Sequence, residues 1–245
     1  MKICTIAVAA VALSACSFAQ AIEISGTVTL TNDYLYDGLT QTGNDAALQA
    51  GLNFIHDSGF YLSTWASQVD FGAICGDNFD QRCNSSVETD WLIGYGGGDD
   101  DFSYDIGYAH YKYFSSGDGF DYSELYGSLT FSDTKVAIYH SRDFGGTTVS
   151  NKRIKLIHTI ALNDSWSLPL EIGHDRFEEA FDFGGAISRS FTYYKAGVGF
   201  THESWYAEAA YVKTNLDALP AADKEAMSID GNFLFSVTYS FSNAD

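Results

Sequence analysis

Three things are scarce in this chain: proline, cysteine and positive charge. Its 245 residues include 2 Pro, 4 Cys and 13 Lys and Arg against 32 Asp and Glu. The formal net charge of −19 argues against nucleic-acid binding, because contact with phosphates requires a basic surface. After the first residues, no stretch approaches the ~20 consecutive apolar residues of a transmembrane helix. Aromatic residues are plentiful, with 18 Phe and 16 Tyr, and these favour strands and membrane interfaces over helices.

The N-terminal segment is typical of an export signal. Lys2 provides a positive end, residues 6–15 form a short apolar run, and Ala19-Gln20-Ala21 has the small-x-small pattern of a cleavage site. We therefore predict a signal peptide at 1–21 and a single barrel domain at 22–245. A second interpretation stays open, because Leu13-Ser14-Ala15-Cys16 resembles a lipobox that would leave Cys16 lipidated. Cleavage after Ala21 is preferred, since a barrel needs no lipid anchor and Ile22 opens the first strand.

Two cysteines, Cys75 and Cys83, remain in the mature chain after cleavage at Ala21. They lie close together among Gly, Asp and Asn, as in a loop. In an exported protein such a pair predicts a disulfide, because the compartment is oxidising. Two free thiols are the alternative.

From Ile22 onward, apolar and polar residues alternate with a period of two. Such alternation is typical of strands with one apolar and one polar face. Residues 48–54 and 233–241 show it clearly. The pattern predicts twelve strands, near 23–36, 46–56, 60–71, 87–97, 101–113, 120–131, 134–142, 150–162, 165–174, 190–201, 204–214 and 231–241.

The connections between these strands alternate strictly between long and short. The long ones are 38–44, the cysteine segment, 115–119, 143–149, 175–189 and 215–230, and the short ones are 57–59, 98–100, 132–133, 163–164 and 202–203. A soluble sandwich has no reason to sort its loops in this way. We therefore predict an all-β protein, a transmembrane antiparallel up-and-down β-barrel of about 12 strands, with short periplasmic turns, long outside loops and both termini periplasmic. The composition of 216–227 predicts a short helix in the last outside loop.

The last predicted strand carries an aromatic ladder of Phe233, Phe235, Tyr239 and Phe241. This ladder resembles the C-terminal strand that the barrel-assembly machinery recognises, and it predicts that machinery as a partner. The chain continues to Asp245, whereas such signals often end on the aromatic residue.

The first hairpin carries a family resemblance. Thr31 to Gln41, followed by Ala47 to Leu52 and Trp65 to Gly72, resembles the opening of the Gcw_chp proteins, also called the TorF family of porins. Asp37 departs from the pattern, because a basic residue is expected at that position. The resemblance implies an outer-membrane porin of a Gram-negative-type bacterium, and it supplies no catalytic residues.

The polar face of the predicted strands is rich in charge. Lipid does not tolerate such groups, so we expect them to point into the barrel. They are the predicted pore-lining residues: Glu88, Asp90, Asp105, Glu124, Arg153, Lys155, Glu171, Lys195 and Glu208. Six acids against three bases predict a passive channel for small hydrophilic solutes with a modest cation preference. Glu88, Asp90, Asp105 and Glu124 are expected on a different wall from the three bases. The alternative is a narrow lumen filled by salt bridges.

Other functions lack a motif in the sequence. The six histidines show no metal-ligand spacing, and no calcium-loop pattern occurs. His140 and Ser141 are adjacent, so in a strand they point to opposite faces. We predict no catalytic residues, metal or cofactor. The expected partners are outer-membrane lipid, lipopolysaccharide and small solutes, and the oligomeric state stays open. A barrel enzyme of the lipase or acyltransferase type and a closed structural or surface-interaction barrel are the alternative functions.

Overall fold

The computed structural model describes residues 22–71, 86–114, 119–182, 187–216 and 231–244. These residues form an all-β structure with one turn of 3-10 helix at Phe144–Gly146. Within the described parts of the chain, no helix is long and apolar enough to cross a membrane. The strands are β1 Ile22–Thr31, β2 Leu35–Tyr36, β3 Leu39–Thr40, β4 Ala47–His56, β5 Phe60–Gln68, β6 Val87–Gly98, β7 Phe102–Phe114, β8 Tyr122–Phe131, β9 Thr134–Ser141, β10 Asn151–Ala161, β11 Trp166–Asp182, β12 Ile187–His202, β13 Trp205–Thr214 and β14 Asn232–Ser242.

Twelve of these strands close into one barrel. Each pairs antiparallel with its neighbours along the chain, and β1 completes the ring by pairing with both β4 and β14. The predicted fold class is therefore confirmed. Ile22 lies opposite His56, and Ser25 lies opposite Ser242, so both ends of the described chain lie at the end of the barrel with the short turns. We call this the short-turn end and the opposite one the long-loop end.

The outer wall of the barrel is apolar. Leu30, Ile106 and Ile138 are among the most exposed large hydrophobic residues described, at 60%, 62% and 58%. Their neighbours one position along point inward and are buried, as Thr31 and Ala137 are. Alternation along each strand places the two sets on opposite faces, as the sequence predicts. Such an extended apolar surface is compatible with lipid rather than with water.

The first strand is shorter than predicted. It ends at Thr31 rather than near residue 36, and residues 32–46 turn back toward the barrel axis. Within them β2 and β3 form a small hairpin around Asp37 and Gly38, whose φ angles are +52° and +83°. Two successive positive φ angles and an Asp-Gly sequence are typical of a type I′ turn. The aromatic alternation of Tyr34 and Tyr36 resembles a strand, which explains the wrong boundary.

The connection predicted at 175–189 is mostly strand. β11 continues to Asp182 and β12 begins at Ile187, with a register shift between Arg176 and Phe181. Asp175 and Phe177 keep the inward face and are buried. The charged residues at the start of this segment resemble a loop in the sequence, because the bulge interrupts their alternation. The predicted signal peptide, both cysteines and nearly all of the predicted helix lie outside the described residues.

Candidate functional site in the barrel lumen

The loop between β1 and β4, residues 32–46, fills the lumen at the long-loop end, and we call it the plug loop. Its centre is Asp33, which is 1% exposed. The hydroxyls of Thr40 and Thr42 donate to Asp33 Oδ1 at 2.6 and 2.9 Å, and Asn232 of β14 donates to Oδ2 at 3.0 Å. These bonds satisfy a buried carboxylate and fix the loop in one conformation.

The plug loop reaches both sides of the barrel. On one side the ring of Tyr34 lies edge-on against Trp65 of β5, with centroids 5.3 Å apart. On the other side Leu39 packs into an apolar cluster that the long-loop ends of β11, β12 and β13 provide: Phe177, Phe191, Tyr193 and Leu216. The expectation that residues 38–44 form an outside loop is therefore wrong. Apolar burial against the far wall stabilises the inward position.

Ion pairs anchor the tip of the plug loop. Asp37 Oδ2 lies 2.9 Å from Arg153 Nη1, and its Oδ1 lies 2.5 Å from Lys155 Nζ. Arg153 also binds Glu124 at 2.9 Å through Nη2 and donates to the hydroxyl of Tyr36. Burial alone raises the pKa of the Asp37 carboxyl, but the charges of Arg153 and Lys155 outweigh it and hold the pKa below its usual value. Asp37, which stands where the family pattern leads us to expect a basic residue, therefore has two basic partners.

Tyrosines surround the acids of the neighbouring wall. Tyr113 donates to Glu88 Oε1 at 2.8 Å, and Tyr111 donates to Glu124 Oε2 at 3.0 Å. Tyr111 lies opposite Asp90 in the β6–β7 ladder. Within the described residues, Glu88 and Asp90 form no ion pair. Glu88 therefore faces a tyrosine hydroxyl rather than a cation, and Asp90 lies beside a second tyrosine.

The short-turn half of the lumen holds a polar cavity of about 580 Å³. Among its lining residues are Asn53, Ser63, Asp105, Ser128 and Lys135. The cavity ends against a layer that includes Tyr111 and Tyr139. Because the Arg153 guanidinium lies 4.3 Å from the centre of the Tyr139 ring, the end of the cavity is also the support of the plug loop.

The remaining predicted lining residues also lie on the inner wall. Lys195 Nζ binds Glu208 Oε1 at 2.5 Å, and Lys155 lies 3.8 Å from Glu171, which accepts a hydrogen bond from Tyr193. The predicted separation of acids and bases onto different walls is wrong for Glu124, which pairs with Arg153 at 2.9 Å. Long side chains span the short distance between neighbouring inward rows, so opposite charges pair. Their role as the lining of a conducting pore stays a prediction.

Sequence reasoning missed the residues that join the plug loop to the wall. Tyr36, Tyr122 and Tyr139 all contact Arg153 or its partners, with Tyr36 Oη 3.2 Å from Tyr122 Oη. Asp175, which the sequence pattern places in a loop, accepts a hydrogen bond from the Asn151 amide at 3.2 Å. It lies beside Arg153. The Asp37-Gly38 turn was the one signal in the sequence that could have indicated the hairpin.

The outer wall carries a His–Ser contact that bears on the enzyme alternative. His110 Nδ1 lies 2.9 Å from Ser123 Oγ, which also accepts a hydrogen bond from Tyr108 at 2.7 Å. A nucleophilic serine needs such a base and also a group that orients the base. Similar outward contacts join His158 to Thr134 and His174 to Thr192, so the geometry recurs as a cross-strand pair.

The described ranges contain no group of three or more His, Cys, Asp or Glu side chains that could hold a metal ion. The buried carboxylates of the lumen instead face tyrosine hydroxyls and basic side chains.

Comparison with protein families gives one match over most of the chain. The model of the family described as "Bacterial protein of unknown function (Gcw_chp)" matches residues 15–241. The chain belongs to the Gcw_chp family. A comparison of this Gcw_chp chain with curated proteins found no match.

Solved structures similar to this Gcw_chp barrel share its fold at low sequence identity. The NanC porin in a rhombohedral crystal form has a TM-score of 0.53 and 12% identity, over 89% of this chain and 99% of that one. A chain from a study of the in-meso crystallization of membrane proteins has a TM-score of 0.54 and 9% identity, over 90% and 85%. The barrel fold therefore resembles that of outer-membrane porins.

Proposed function

We propose that this protein is a narrow outer-membrane porin, a passive channel for small hydrophilic solutes with a modest cation preference. In this proposal the chain is exported with a cleavable signal peptide, the short-turn end faces the periplasm and the long-loop end faces outside. The apolar outer wall, the long and short connections and the family membership support it.

One observation carries the proposal: a polar cavity occupies the short-turn half of the barrel and stops at the tyrosine layer that supports the plug loop. Solid packing of apolar side chains would fill the lumen of a purely structural barrel. Here the cavity is lined by hydroxyls, amides and charges, and ion pairs hold the tip of the plug loop. The described conformation is a closed one, and conduction requires the plug loop to shift.

The charge of the wall supports the cation preference. Arg153, Lys155 and Lys195 are neutralised by Asp37, Glu124 and Glu208. Beyond these three pairs, the acids Asp105 and Glu171 remain in the described part of the lumen, against one further cation, Lys135, which lines the polar cavity with Asp105. Between low-dielectric walls, an uncompensated acid acts more strongly on a passing ion than it does on an open surface.

Single-channel recording of the refolded mature chain in planar bilayers tests this function. Asp37→Asn keeps the shape of the plug loop and removes the charge that binds Arg153 and Lys155. We expect this variant to open more often than the native protein. Asp45→Asn is the matched control, because Asp45 is exposed on the same loop and forms no ion pair with a described residue. Native and Asp37→Asn proteins that both stay silent would support a closed structural barrel instead.

The His110–Ser123 contact favours a second candidate, an enzyme that cleaves lipid esters at the outer wall. Ser123 Oγ would attack the ester carbonyl while His110 accepts the serine proton and passes it to the alcohol that leaves. Water would then hydrolyse the acyl-serine and release the fatty acid. Release of fatty acid from phospholipid by the refolded protein, abolished by Ser123→Ala and retained by Thr192→Ala, would establish this activity. Equal release by all three proteins would exclude Ser123 as the nucleophile.

A further inference from the structure

Four cations cluster on the outer wall at the long-loop end, in a chain that has only 13 Lys and Arg. Arg142 follows β9, Lys152 lies on β10, Arg176 lies on β11 and Arg189 lies on β12. Together with His140 and His174 they line a groove of about 790 Å³, which we call the basic groove. One carboxylate, Glu178, also lines it.

Strand pairing brings these like charges together. Lys152 is the direct partner of Arg176 in the β10–β11 ladder and of His140 in the β9–β10 ladder. Like charges directly opposite each other destabilise an antiparallel pair. Within the described residues, none of the four cations forms an ion pair, so Glu178 offsets this repulsion only in part. A bound anion would offset it.

The position of the basic groove indicates the kind of anion. Two residues closer to the short-turn end, the same three strands carry exposed isoleucines. These are Ile138 on the strand of His140, Ile154 on that of Lys152 and Ile172 on that of His174. Two residues along a strand span about 6.6 Å, so the charges border the apolar wall directly. A ligand with acyl chains on that wall would place its headgroup in the basic groove.

We infer that the basic groove binds the phosphate groups of a phosphorylated glycolipid in the outer leaflet, that is, of lipopolysaccharide. Arg and Lys bind phosphate through charge-assisted hydrogen bonds. The inference rests on the proposed function in one respect, the placement of the long-loop end outside.

The test uses the refolded mature chain and two probes, diphosphorylated lipid A and the same lipid after removal of its phosphates. We expect the phosphorylated lipid to raise the thermal unfolding temperature and to remain bound in native mass spectrometry. Lys152→Gln with Arg176→Gln should weaken binding about tenfold or more, because two charged contacts to phosphate are lost. The charge-keeping pair Lys152→Arg and Arg176→Lys should retain binding.

Lys213→Gln is the matched control, because Lys213 is an exposed outward cation at the same end, opposite Tyr194, and is not among the residues that line the basic groove. It should bind the phosphorylated lipid as the native protein does. If the double variant fails to fold, Lys152→Gln and Arg176→Gln alone give the same comparison with smaller effects.

Three outcomes would overturn the inference: unchanged binding in the double variant, equal protection by the dephosphorylated lipid, and equal protection by inorganic phosphate. Loss of a dimer in the double variant, without loss of lipid, would assign the basic groove to a second copy instead. Conductance in lipid-A-free bilayers separates this question from the proposed function. The double variant should conduct as the native protein does, because the basic groove lies outside the lumen.

Discussion

Two glycines of the inner wall leave room for tyrosine rings to lie flat across it. A Cβ on Gly94 would lie 2.3 Å from the hydroxyl of Tyr61, and a Cβ on Gly107 would lie 2.4 Å from that of Tyr126. Tyr61 donates to Asp105 at 2.8 Å and contacts the Tyr126 hydroxyl. The absence of a side chain at two positions therefore shapes the polar cavity.

Gly94→Ala tests this role. The new methyl group displaces the Tyr61 ring and breaks its hydrogen bonds, so we expect a loss of about 1–3 kcal/mol in the free energy of unfolding. Urea unfolding of the refolded barrel measures it. Gly127→Ala is the control, because its nearest new contact is a backbone oxygen at 3.6 Å, an ordinary distance. Equal losses in both variants would contradict the argument.

Arg153 joins Asp37 of the plug loop to Glu124 of the wall. Removing one partner of a buried ion pair costs about 3–5 kcal/mol, because the other charge remains buried and unpaired. We therefore expect Arg153→Ala to destabilise the barrel and to raise the open probability, rather than only to sharpen cation preference. Bilayer recording and urea unfolding of the same preparation measure both effects. Arg153→Lys should be intermediate, since it keeps the charge and loses the forked geometry. An alanine variant that is as closed as the native protein would show that Asp37 is held by Lys155 alone.

At the scale of elements, the plug loop is a hairpin that replaces an expected outside loop. Thr42 is 3% exposed, whereas Asp45, three residues later, is exposed at the end of the same loop. Cysteine labelling of intact cells should therefore reach Asp45→Cys and spare Thr42→Cys. Ser58→Cys, in a short turn, should be spared as well if that turn is periplasmic. Equal labelling at positions 42 and 45 would show that the loop is outside the barrel.

The plug loop should respond to acid. The pKa of Asp37 is held below its usual value, so the ion pairs contribute fully above the pKa of a free Asp, about 3.9, and are lost as pH falls through the lowered pKa. We expect the open probability to be constant between about pH 5 and 8 and to rise below about pH 4. Asp37→Asn should remove this rise, whereas Asp45→Asn should keep it. A transition near neutral pH would point to a group other than Asp37.

At the scale of the whole molecule, acids without cationic partners predict the sign of the selectivity. Reversal potentials across a salt gradient should show a modest cation preference that grows at low salt, where screening extends to about 30 Å at 0.01 M. Asp105→Asn, at an acid that lines the polar cavity, should weaken or invert it. The matched control is Glu203→Gln, an exposed acid of a short turn, which should leave it unchanged. Anion selectivity in the native protein would contradict the assignment of the wall charges.

The sequence by itself determined the barrel. Alternation with a period of two and the sorting of connections by length required twelve strands with an apolar outer wall, because each strand exposes alternate residues to opposite surroundings. The same alternation placed each of the nine predicted lining residues on the inner face. The family resemblance at residues 31–126 indicated the Gcw_chp family.

Only the tertiary structure decided what fills the barrel. The contact of Asp37 with Arg153 joins residues 116 positions apart along the chain, and no local pattern encodes such a pair. The strand register, which places Lys152 beside Arg176 on the outside, likewise depends on hydrogen bonding between strands. Alternation specifies the face on which a side chain lies, whereas closure of the ring decides which side chains meet across it, because the meeting depends on register and shear.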